Sequence, residues 1–237
     1  MSKILSEIRT DVKVLVRDRE LIVGETDYDL AIRQARIYYT RAFPYKKIGS
    51  QTGDGSTYEW TLPSDYYPDF STILEVRFPA DQTSERRMSI LVSKTDYDVF
   101  QTATGTYKLR LLSSTPTATE TLKYVYTTIY SLTETTSTLP SDLAEQSVTF
   151  AAAALVCEQL AAYYAQSVDA TISADSVNFG MKSADYKALA DRYKLASGIK
   201  EIMDAPAGAM GVACAFRDLD APPTYGLREQ FLTHTRR

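Results

Sequence analysis

The architecture turns on residues 139–166, which read LPSDLAEQSVTFAAAALVCEQLAAYYAQ. Asp142 with Glu145 three positions on has the spacing of a capping box, so a helix is expected over 142–167. Alanine recurs between positions 151 and 165, and small side chains let neighbouring helices approach closely. Cys157 follows Phe150-Ala-Ala-Ala-Ala-Leu-Val and reads as a small buried apolar residue. Phe150–Cys157 is also the longest unbroken apolar run. Spanning a bilayer takes about twenty apolar residues, so neither a transmembrane helix nor a membrane partner is expected.

Upstream, residues 44–140 change character. Thr57–Leu62, Ile73–Phe78, Met88–Val92, Thr106–Leu112 and Leu122–Tyr126 alternate as strands do. Thirteen threonines fall between 101 and 140, and a β-branched residue suits a pleated, half-exposed surface. Gly53-Asp-Gly55, Pro63-Ser-Asp65, Pro79-Ala-Asp81 and Ser113-Ser-Thr-Pro116 punctuate the runs as turns. Ser93–Phe100 reads as a short helix capped by Ser93 or Thr95. Residues 1–43 carry Ile4, Ile8, Val12 and Leu15 at helical spacing. After Gly24, Asp27 and Asp29 offer cap carboxylates to a second helix with Ile32, Ala35 and Tyr39 on its buried stripe, closed by Pro44. Downstream, 173–197 is a further helix with two apolar stripes. One is Tyr186, Leu189, Tyr193 and Ala196; the other is Met181, Ala184 and Ala188. Two stripes predict cover on two sides.

The expected fold is α+β: a four-helix bundle built from 1–43 and 141–197, a β-rich insert over 44–140, and an extended C-terminal tail over 198–237. The tail is dense in Gly and Pro yet carries Met203, Met210, Val212, Phe216, Tyr225, Leu227, Phe231 and Leu232. Such anchors offset the entropy lost when a segment orders against a surface. Two readings stand: the tail docks on a partner, or it wraps its own domain.

Composition narrows the chemistry. The chain has 237 residues, a net charge of −4 and 44% hydrophobic residues, which suits a folded protein and disfavours general binding to nucleic acid. The lone histidine, His234, argues against a buried imidazole base and a multi-His metal site. Two cysteines, Cys157 and Cys214, are too few for a disulfide scaffold. No nucleophile elbow, phosphate loop or dinucleotide fingerprint occurs. Gly53-Asp-Gly55 precedes a strand, so the helix dipole that holds phosphate is missing there. Carboxylates remain: Asp65 and Asp69 flank Tyr66-Tyr67-Pro68, and Asp96 and Asp98 flank Tyr97. Turn caps account for such neighbours better than catalysis does. No catalytic residue, metal ligand or cofactor is assigned, and the chain is not expected to be an enzyme.

The order of these parts resembles that of the head–tail connector (adaptor) proteins of tailed bacteriophages. Tyr28–Tyr39 is similar to the family's second helix, Leu139–Asp142 leading into Ala151–Tyr164 to its third, and Ala174–Val177 with Ser183–Tyr186 and Ala190–Tyr193 to its fourth. The resemblance implies a virion protein made in the host cytoplasm. It implies a ring, typically twelve-fold, beneath the portal, which extends the DNA channel without sequence-specific contact and receives a downstream neck or tail protein. It also implies a tail that reaches the portal; here that role falls to Met210, Phe216, Tyr225, Leu227, Arg228, Phe231, Leu232, Arg236 and Arg237. The acidic balance suits a conduit for DNA, because like charge discourages sticking. Arg236 and Arg237 beside Phe231 and Leu232 would suit an acidic, partly apolar groove. Two rivals remain: a β-type virion module that contacts carbohydrate or receptor through Trp60, Tyr66 and Tyr67, and a hydrolase that needs two carboxylates across one cleft.

Overall fold

The computed structural model describes residues 3–18, 21–79, 91–112, 115, 117–118, 120–166 and 179–205. In chain order, helices α1 (Leu5–Val16) and α2 (Glu25–Ala42) lead into strands β1 (Tyr45–Thr52), β2 (Glu59–Thr61), β3 (Ile73–Arg77), β4 (Tyr97–Gln101), β5 (Tyr107–Leu111) and β6 (Thr121–Thr128). Helices α3 (Asp142–Gln166), α4 (Phe179–Ser197) and α5 (Lys200–Met203) follow. The protein is α+β.

On α1, Leu5, Ile8, Val12 and Val16 are buried, at the spacing of one helical face. The expected stripe is displaced at both ends. Ile4 precedes the helix and donates its backbone N–H to Glu7 Oε2 at 3.0 Å, and Leu15 is only partly buried. Helix α2 opens after Gly24, whose N–H donates to Asp27 Oδ2 at 3.1 Å. Asp29 is not a cap: it takes a two-pronged contact from Arg9 of α1, at 2.6 and 3.0 Å. Ile32, Ala35 and Tyr39 are buried as their spacing required.

Helix α3 begins differently from the capping-box expectation. Ser141 Oγ accepts the N–H of Ala144 at 3.3 Å. The Glu145 side chain does not fold back; it reaches across and accepts the backbone N–H of Lys3 at 2.7 Å. Helices α1, α2 and α4 all pack on α3, whose Val148, Ala151, Ala152, Val156, Cys157 and Leu160 are buried. By length and composition alone α3 would suffice to cross a bilayer, a conclusion the eight-residue apolar run had not anticipated. In this fold it is the core helix, and 56% of its most apolar window is buried. Helix α4 runs antiparallel to it: Tyr186 stacks on Tyr164 at 5.5 Å near one end and Tyr193 on Phe150 at 5.9 Å near the other. Of the expected inward stripe, Tyr186, Leu189 and Tyr193 face the core, while Ala196 is exposed and Ala190 is buried. Met181, Ala184 and Ala188 lie exposed.

The β-rich part consists of two antiparallel three-stranded sheets, ordered β1-β6-β3 and β2-β5-β4. One apolar cluster takes Ile73, Val76, Leu122, Tyr124 and Tyr126 from the first sheet and Trp60, Leu109 and Leu111 from the second. The helical cluster around α3 is separate from it. Two strands escaped the sequence reading. Strand β1 was unanticipated, and β4 occupies the stretch expected as a short helix. Met88–Ile90 lie outside the described residues; Leu91 makes an isolated bridge to Arg77.

Candidate partner-binding surfaces

Every tail residue assigned to partner contact, from Met210 to Arg237, lies outside the described residues. The root of the tail is described, and it is tied into the helices. Gly198 adopts a left-handed conformation, φ 72°, that favours glycine and turns the chain out of α4. Ile199 is then buried and Met203 packs against the helical cluster. Thus the segment read as free of regular structure begins with a short helix, α5. Four polar contacts hold this junction. Ser147 Oγ of α3 donates to the Ser197 carbonyl at 2.5 Å. Lys194 Nζ bridges Glu158 and Asp204 at 2.7 and 2.6 Å. The Tyr193 hydroxyl donates to the Leu15 carbonyl at 3.0 Å. Burial alone would lower the Lys194 ammonium, but the hydrogen bonds it donates to Asp204 and Glu158 outweigh it and raise its pKa.

Beside this junction, α1 and the first turns of α3 enclose an open cleft of about 550 Å³. Val14, Leu15 and Phe150 supply its apolar lining, and Asp11, Asp142 and Glu145 its acidic side. Val14 is 64% exposed. Lys3 also lines the cleft, but its ammonium is committed to Asp11 at 2.6 Å, and that bond raises its pKa. No ion pair among the described residues engages Asp142. The hydrolase reading asked for two carboxylates facing one cleft, and this cleft carries three. Two are already bound, Asp11 to the Lys3 ammonium just ahead of its own helix and Glu145 to the Lys3 backbone, and the second contact ties the start of α1 to α3. The sequence reading passed over this cleft because its residues come from positions about 130 apart on two helices.

The sheets answer the other rival. Trp60 is 6% exposed and belongs to the core between the sheets. Tyr66 is half-buried, with its ring centroid 6.0 Å from that of Tyr107 and 6.4 Å from that of Tyr126. Of the three aromatics, Tyr67 alone is exposed. They form no shared aromatic platform. Asp65 is structural: its carboxylate accepts from Lys47 Nζ at 2.6 Å and from the Tyr126 hydroxyl at 2.8 Å. Burial works against that charge, yet these two bonds prevail and hold the Asp65 pKa below the ordinary carboxylate value. Burial and the neighbouring Asp65 push the Tyr126 phenol up. The Cys157 thiol is pushed up to about 12 by burial, which marks it as inert. Among the described residues no cluster of three or more metal-ligating side chains occurs.

One solved structure, described as the neck of a native GTA particle computed with C12 symmetry, contains a chain 17% identical to this one. The match covers 81% of this chain and 92% of that one, with a TM-score of 0.28. No family model matches the sequence, and no curated protein matches it significantly.

Proposed function

We propose that this chain is a structural protein of a virion neck, a head–tail adaptor that joins capsid to tail. In this reading copies of the chain form a ring, twelve-fold in the pattern of such adaptors, beneath a portal. The ring extends the channel through which DNA passes and receives a downstream neck or tail protein. Residues 1–43 and 141–197 form the helical domain, 44–140 a β-rich domain that projects from it, and 198–237 the segment that reaches the portal. The work is done by fit between subunits, with no reaction catalysed.

One observation carries the reading. Two N-terminal helices, an antiparallel β insert, a long alanine-rich helix and a helix packed back along it follow one another in the order that the sequence resemblance requires. The buried position of Trp60 weighs against a carbohydrate- or receptor-binding module.

The test is a deletion. Because Ile199 and Met203 belong to the helical cluster, the truncation starts at residue 206. A chain ending at Ala205 is expected to keep its circular dichroism and thermal transition but to lose binding to a portal ring in a pelleting assay. Portal binding at the full-length level would overturn the role given to the tail.

A further inference from the structure

We propose that the cleft between α1 and α3 is the resting site of this chain's own segment Phe231–Arg237, held there while no partner is bound. The chemistry of the two surfaces matches. The cleft offers Val14, Leu15 and Phe150 beside Asp11, Asp142 and Glu145. The segment reads Phe231-Leu232-Thr233-His234-Thr235-Arg236-Arg237: two apolar side chains, a polar spacer and two adjacent guanidinium groups. No other part of the tail has this character. Arg217 is followed by Asp218 and Arg228 by Glu229, so their charges are locally cancelled, whereas no acidic residue stands between Glu229 and Arg237. Asp142 has no cation of its own among the described residues, and Lys3 is held by Asp11.

Position favours the same chain as the source. Phe150, which lines the cleft, stacks on Tyr193 of α4, and the carbonyl of Ser197 is bonded to Ser147, three residues before Phe150. The end of α4 therefore lies next to the cleft, and the chain runs on through α5, which packs on α2 and α4, to Ala205. Residues 206–230 can span up to about 85 Å when extended, so the connection does not limit where Phe231 can dock. A volume of about 550 Å³ lies within the range of sites that enclose drug-sized ligands, enough for a few side chains and too small for a helix. Docked there, the anchors are shielded until a partner competes for them.

The experiment uses the full-length protein with no portal present, so its outcome is separate from that of the deletion test. Val14, being exposed, is replaced by the photo-crosslinking residue p-benzoylphenylalanine, and the irradiated protein is mapped by peptide mass. Isotopically labelled and unlabelled chains are mixed beforehand. The expected product joins position 14 to a residue of 231–237 within one chain. A product that joins labelled to unlabelled chains, one that maps elsewhere, or no product would overturn the proposal. Charge reversal supplies the second readout. R236E together with R237E is expected to cut the yield about threefold, the scale of exposed ion pairs, and adding Asp142→Arg is expected to restore it. An unchanged yield in the first variant, or no recovery in the second, would equally overturn it.

Discussion

Gly49 shows how tightly one side chain can constrain a sheet. It faces Tyr124 across the β1–β6 ladder, and a Cβ at this position would lie 2.3 Å from Tyr124 Cζ. Tyr124 is buried between the sheets, so its ring has nowhere to retreat. Gly49→Ala is expected to destabilise the protein by about 1–3 kcal/mol, the usual cost of overpacking. A urea titration checks this, with the midpoint falling and the slope unchanged; an unmoved midpoint would refute the contact. Asp65 gives a second prediction at this scale. Its pKa is depressed in the folded state, so its contribution is present above the unfolded carboxylate value, about 3.9, and is lost as pH falls towards the folded value. Between pH 5 and pH 3 the parent protein should therefore lose more stability than Asp65→Asn. Parallel losses in urea midpoints would remove the carboxylate from that role.

At the scale of elements, α1 is held by polar bonds as much as by its apolar face. The Lys3 N–H donates to Glu145, the Leu5 N–H to the Thr133 carbonyl at 3.0 Å, and Arg9 to Asp29 and Glu134. Glu145→Ala removes a hydrogen bond to a buried charged acceptor and is expected to cost about 1.5–3 kcal/mol. Hydrogen exchange of the Lys3 and Leu5 amides should quicken most; equal changes across the fold would argue against a local clamp. The same contact shows where sequence reasoning stopped. Glu145 sat three positions from a capping candidate, and local spacing cannot reveal a partner 142 residues away. The helices were legible because buried residues recur every three or four positions. Strand β1 was hidden because its half-buried positions are Tyr45, Lys47, Gly49 and Gln51, while its single aliphatic residue, Ile48, faces outward at 74% exposure. Ahead of β4, Ser93 and Thr95 resembled cap residues, and the segment does form a turn: the Asp96 N–H donates to the Ser93 carbonyl at 2.9 Å. The turn leads into a strand because β5 offers a pairing edge, which periodicity over five residues does not report. The cleft was illegible for the same reason as Glu145, since it exists only once α1 and α3 meet.

The molecule as a whole is organised around α3, with the β-rich part carrying its own apolar core. If it works as a neck adaptor, native mass measurement with a portal ring should give a closed oligomer of many copies. A single copy, or none, bound per portal would sink the ring. Shielded anchors would also make that assembly ordered in time, with the tail released only on encounter. The junction at Ser197 has a mechanical consequence. Where the chain leaves α4 it is held by a serine clamp to α3, a lysine bridging two carboxylates and a buried isoleucine. Tension on the emerging segment would thus be shared among several bonds and passed into the longest helix, so that a tug from outside strains the whole body before it peels the strand away.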